Sequence, residues 1–128
     1  MKDVVILSGV RTAIGEYGGS LKSNAPTDLA AKVVHEALLR AQIDPNEVDH
    51  LVFGNVIHGE ARDMYLARVA CINGGLPQHT AALTVNRLCG SGLQAIISAS
   101  ESILLNDTLA AVAGGADSVS RAGYLLPA

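Results

Sequence analysis

Asn86-Arg87-Leu88-Cys89-Gly90-Ser91-Gly92 lies between a short apolar run, Ala81 to Val85, and a long stretch whose apolar residues recur with helical period. Reading the run as a strand and the stretch as a helix makes the heptapeptide a strand-to-helix turn and places Cys89 on the first turn of that helix. Unpaired backbone N–H groups and the positive end of the helix dipole favour a thiolate at such a position. Gly90 and Gly92 leave no Cβ to obstruct a bulky substrate, and backbone N–H groups in the turn are able to face a developing oxyanion. Nucleophilic chemistry on an acyl group is the reaction type this pattern suggests.

Two other readings compete at the same residues. A lone cysteine before Gly-Ser-Gly also serves as a small hydrophobe in a connecting loop. Gly90-Ser91-Gly92-Leu93-Gln94-Ala95 additionally fits the dinucleotide fingerprint G-x-G-x-x-G/A. A dinucleotide turn leaves its strand almost at once, however, whereas Asn86 to Cys89 intervene here, and no acidic residue closes a further strand about twenty residues on.

At 128 residues the chain suits one domain spanning 1–128. Hydrophobic residues make up 49% and charged residues only 16%, which leaves little polar surface to clothe a small globule, so a further polypeptide is expected to cover the excess. The net charge of −3, the lack of a basic cluster and the sparse aromatics Tyr17, Phe53, Tyr65 and Tyr124 argue against nucleic acid as a partner. No apolar run approaches the length of about eighteen residues that spans a membrane, and Met1-Lys2-Asp3 leads into a short strand rather than a signal-peptide core, so a cytoplasmic location is expected. Cys71 and Cys89 lack CxxC or Cys/His spacing, which fits reduced thiols and no metal site.

The apolar run Val4 to Leu7, ending at Ser8-Gly9, reads as a strand covered on both faces. Thr27, after Pro26, is the expected N-cap of a helix reaching about Ala41, with Leu29, Val33, Ala37 and Ala41 at i+4 spacing. A second strand is expected over Leu51 to Ile57. Asp63 is the expected cap of a second helix carrying Leu66, Val69, Ala70 and Asn73 and ended by Gly74-Gly75 and Pro77. The helix after Cys89 carries Leu93, Ile96, Ile97, Ser100, Ile103 and Leu104 on its apolar side, with Asn106 near its C-terminal cap, and Leu109 to Ala113 is a fourth strand. This alternation predicts an α/β fold, a mainly parallel sheet of about four strands with helices on both faces.

Over nearly its whole length the chain resembles the N-terminal part of the thiolase family, the acetyl-CoA acetyltransferases and β-ketothiolases. The matching segments are Arg11-Thr12-Ala13-Ile14-Gly15, Gly54-Asn55-Val56, Ala67-Arg68, Asn86 to Leu93, and Ala113-Gly114-Gly115 with Ser118 and Ser120. The resemblance implies that Cys89 takes an acyl group from acyl-CoA as a thioester and that its backbone N–H helps hold the thioester oxygen. Asn86, Arg87, Gly90, Ser91 and Gly92 would shape the nucleophile loop. Coenzyme A thioesters such as acetyl-CoA would be substrates, and no cofactor is implied. Claisen condensation of two acyl-CoA molecules, or the reverse thiolysis, would follow.

Family members are much longer chains built of two similar halves and a loop domain. The resemblance places the activating histidine, a second acid/base cysteine and most CoA contacts beyond residue 128. It also places there a fifth, antiparallel strand that lies between the first and fourth. A homo-oligomer or a complementary C-terminal part is therefore expected to complete the fold, and the isolated chain is expected to be inactive. His35, His50, His58 and His79 lack the family's Gly-His-Pro context and read as surface or packing residues; His58, in the segment after the second strand, is the one to watch. Cys71 reads as a core or interface thiol, and Arg11 and Arg68 as loop-pinning cations. Asp117 and Val119 stand where the family carries Glu and Met, and Gly123 where Pro is common. Two alternatives stay open: a non-catalytic assembly fragment, and a related condensing enzyme such as a ketoacyl-carrier-protein synthase.

Overall fold

His50–Gly54 forms β1, the middle of a three-stranded parallel sheet that a computed structural model shows within the described residues, 3–127. β2 (Ala81–Val85) and β3 (Ala111–Gly115) flank it, with Leu51 opposite Ala82 on one side and Val112 on the other. Side chains alternate across a strand, so β1 serves two cores. Leu51 and Phe53 enter a cluster with Ala30, Val34 and Leu38 of α1 (Pro26–Ala41) and Leu66, Ala67 and Ala70 of α2 (Leu66–Asn73). Val52 faces the other way, onto Ala95 and Ala99 of α3 (Ser91–Leu104). Helices thus cover both faces of a parallel sheet, as the alternation of elements predicts.

α1 begins two residues earlier than a cap at Thr27 implies. Ala25 is the N-cap and Pro26 occupies the first turn, where its missing N–H costs nothing. Gln42, at φ 54°, turns the chain out of the helix and donates its N–H to Leu39 O over 3.2 Å. α1 and α2 meet closely at Gly74, where a Cβ would lie 2.6 Å from Val34 Cγ1 and from Ala70 O. Asp63 does not cap α2 directly. It lies in a short 3-10 turn, Ala61–Tyr65, and its Oδ2 accepts from Gly59 N at 2.9 Å and Glu60 N at 3.1 Å.

Thr27, inside α1, is fully buried with no hydrogen-bond partner for its hydroxyl among the described residues. An orphaned buried hydroxyl costs free energy that a methyl of the same shape does not. Thr27→Val is expected to raise stability by about 1 kcal/mol, read as a higher urea midpoint at unchanged slope; a lower midpoint would contradict an unpaired hydroxyl.

Three expectations need correction. Val4 to Leu7 forms no strand: the segment is unpaired among the described residues, and Val5, Ile6 and Leu7 are 70%, 82% and 64% exposed. Met1 and Lys2, expected to lead into it, lie outside the described residues. A strand exists only by pairing, and a groove of about 1110 Å³ separates this segment from β3. Among the described residues the sheet therefore has three strands.

The second correction concerns boundaries. β1 ends at Gly54 rather than Ile57, and β3 runs from Ala111 to Gly115 rather than from Leu109 to Ala113.

The third concerns α3, which buries Ser91, Ala95 and Ala99, while Leu93, Ile96, Ile97 and Leu104 are 62%, 41%, 38% and 45% exposed. Small residues let the helix approach the sheet closely, so the face richest in large apolar side chains is left uncovered.

Candidate functional site

The carboxyl ends of the three strands converge on the start of α3, the place where open parallel sheets bind ligands. Asn55 N donates to Val85 O over 3.1 Å and Ala116 N to Gly54 O over 3.0 Å, so the chain leaves all three strands in register. Gly54 makes the convergence close. A Cβ there would lie 2.7 Å from Ser91 Cβ, 2.8 Å from Ser91 C and 3.0 Å from Gly92 N. Only a residue without a side chain lets β1 end against the first turn of α3.

From Val85 the chain turns through the heptapeptide. Asn86 Oδ1 accepts from Leu88 N at 3.0 Å. Ser91 Oγ accepts from Arg87 N at 2.8 Å and donates to Leu88 O at 2.6 Å. Gly90 N donates to Arg87 O at 3.2 Å, and Ser91 N to Leu88 O at 3.0 Å. Leu88 takes a left-handed backbone, φ 52°, unusual for a side chain of its size. Within this turn Cys89 is exposed, and its N–H has no acceptor among the described residues.

Cys89 is not in the first turn of the helix, contrary to the strand-turn-helix expectation. Gly90 is the N-cap and Ser91 the first helical residue, so the thiol precedes the cap, because the turn closed by Ser91 uses up Arg87 to Gly90 before helical bonding starts. Of the expected supporting residues, Asn86 and Ser91 contribute side-chain hydrogen bonds and Arg87 its backbone N–H and carbonyl. Gly92 opens onto free space, since a Cβ there would meet nothing within 4 Å, whereas a Cβ at Gly90 would lie at an ordinary 3.5 Å from Arg87 O.

A second loop frames the site. Asp117 Oδ1 accepts from Val56 N, Ile57 N and Asn55 Nδ2 at 2.9, 2.8 and 3.1 Å, so the shorter acid still ties the segment after β1 to the segment after β3. Asn55 is fully buried, and its Nδ2 also donates to Ala116 O at 2.8 Å. Farther along, Glu60 pairs with Arg62 at 2.7 Å and with Arg121 at 3.4 Å, and the hydrogen bond from Arg62 holds the Glu60 carboxyl below its ordinary range.

Cys71 contrasts with Cys89. It is fully buried on α2, and burial pushes its thiol up, offset in part by Arg68. Arg68 itself donates to Thr80 O at 3.0 Å and Gln78 O at 2.9 Å, the loop-pinning role expected of it, while Arg11 donates to the neighbouring Thr12 O at 3.1 Å. His35, His58 and His79 are exposed and His50 half-buried. No helix among the described residues is long and apolar enough to cross a membrane.

The roles of Leu88 and Asp117 are not visible in the sequence. Left-handed backbone at a leucine has no local signature, and Asp117 lies 61 positions from Val56, its partner across the sheet.

The thiolase N-terminal domain model matches residues 4–128. The chain belongs to the thiolase family. It is 64% identical over 127 residues to the beta-ketothiolase BktB of Cupriavidus necator, a match covering 99% of this chain and 32% of that protein. The crystal structure of the Bacillus anthracis acetyl-CoA acetyltransferase superposes with a TM-score of 0.91 at 38% identity, over 96% of this chain and 31% of that one. Human mitochondrial 3-ketoacyl-CoA thiolase in complex with CoA gives 0.84 at 39% identity, over 87% and 28%. The chain therefore spans about a third of the length of the relatives it matches.

Proposed function

We propose that this chain is the nucleophile-bearing part of an acyl-CoA acyltransferase of the thiolase type, with Cys89 as the acyl acceptor. The observation that carries the reading is the exposed thiol of Cys89, at the carboxyl ends of the parallel strands and within the family's N-terminal domain. The CoA bound to the human mitochondrial relative supports a CoA thioester as donor.

In the first half-reaction the Cys89 thiol gives its proton to a base, and its sulfur attacks the acyl-CoA carbonyl. The tetrahedral oxyanion collapses, the bond to the CoA sulfur breaks, and CoA leaves as a thiolate that takes up a proton. The free N–H of Cys89 is a donor for that oxyanion. One thioester replaces another, so the step is nearly isoenergetic and the acyl group waits on Cys89 while a second acyl-CoA enters. In the condensation a base takes an α-proton from the second acyl-CoA, the enolate carbon attacks the acyl carbonyl on Cys89, and the bond to the Cys89 sulfur breaks, leaving a thiolate that takes the proton back; thiolysis is the reverse.

The base and the remaining CoA contacts belong to polypeptide other than these residues, and the chain works with a complementary C-terminal part or a further subunit. The groove beside β3 and the uncovered face of α3 support that requirement, since apolar surface of this extent calls for a cover.

Incubating the chain with acetyl-CoA, alone and with the complementary part of a thiolase, tests the reading by peptide mass. An acetyl increment confined to the Cys89 peptide is expected. Equal labelling of Cys71, or none at Cys89 under either condition, would overturn it.

A further inference from the structure

Leu88 occupies a backbone region that a glycine or asparagine would enter more readily, and it does so next to the exposed thiol with its own side chain 69% exposed. Nothing the leucine side chain buries accounts for the conformation, so the constraint comes from the backbone. Ser91 supplies it. Its hydroxyl, in a residue only 4% exposed, bonds the N–H of Arg87 and the carbonyl of Leu88, the two peptide groups that bracket the turn. Ser91 is itself unable to retreat toward the sheet, because Gly54 already lies in close contact with it.

We propose that Ser91 is a positioning residue that aims the Cys89 sulfur by holding Leu88 in its left-handed conformation. The functional consequence rests on the acyl-acceptor reading; the conformational coupling does not. Without the brace, a leucine at position 88 relaxes toward ordinary backbone angles and carries the next residue, the nucleophile, with it. A glycine at position 88 keeps the turn with or without Ser91.

The test compares Ser91→Ala, Leu88→Gly and the double variant by amide hydrogen exchange at positions 90 and 91, by acetylation of Cys89 from acetyl-CoA, and by iodoacetamide labelling of Cys71 as a reporter of unfolding. Ser91→Ala is expected to speed exchange at both amides at least tenfold and to slow acetylation at least tenfold while Cys71 stays protected. In the Leu88→Gly background the same change should alter either rate less than threefold. Equal effects of Ser91→Ala in both backgrounds, or no effect in either, would overturn the proposal.

If Ser91→Ala exposes Cys71, Leu88→Val replaces it. A β-branched residue tolerates the left-handed region poorly, and the altered side chain is exposed. Faster exchange at positions 90 and 91 then supports the coupling, and unchanged exchange overturns it. The expected exchange pattern without thioester formation in any variant, the parent chain included, would support the positioning role and sink the acyl-acceptor reading instead.

Discussion

Cys89→Ser is expected to abolish acyl uptake, with acetylation from acetyl-CoA falling roughly a thousandfold or more, as when a covalent nucleophile is removed from a site whose other parts remain. A serine hydroxyl is far less acidic than a thiol and has no neighbouring base in this turn, so it does not substitute. The residue is exposed, and exchanging its sulfur for an oxygen leaves both cores untouched, which makes stability a useful control. An unchanged urea midpoint with lost acetylation is the expected result of measuring both. Retained acetylation would move the nucleophile elsewhere. Dimers or larger species that persist in Cys89→Ser, with no thiolysis of acetoacetyl-CoA by the parent chain under any complementation, would favour the assembly role over catalysis.

Gly54→Val is expected to cost about 3 kcal/mol and to remove acyl uptake together with it. The added Cβ would lie 2.7 Å from Ser91 Cβ and 2.8 Å from its carbonyl carbon, so neither a rotamer change nor a flexible side chain relieves the overlap. Backbone has to move: either β1 slides in its pairing with β2 and β3, or α3 lifts from Val52. Lifting α3 carries Ser91 away from Arg87 and Leu88 and releases the turn that holds the thiol. Denaturant unfolding reads the first effect and acetylation of Cys89 the second. A variant of undiminished stability would mean that the close approach of strand and helix is not maintained in solution.

The parallel sheet, its two-sided helical cover and the candidate nucleophile are all legible in the sequence. β2 coincides with the apolar run Ala81 to Val85, and α1 departs from its expected start by two residues. Such features are local: turn residues, period and the strand-to-helix switch are written within a few positions of one another. The failures share a different cause. Val4 to Leu7 has the composition of a buried strand, yet composition does not supply a pairing partner, and among the described residues none lies beside it. In α3 the apolar side is legible but not which side meets the sheet, because close approach through Ser91, Ala95 and Ala99 is a property of two surfaces together.

By itself the sequence determined the order and type of the elements and put a cysteine at a strand-to-helix turn, since backbone propensity and apolar period act over short range. Tertiary structure alone decided that Gly54 brings β1 against Ser91 and that Asp117 joins the loops after β1 and β3. These are contacts between groups whose meeting depends on how the whole sheet closes, and a hydrogen bond or a steric limit between distant residues leaves no periodic trace along the chain.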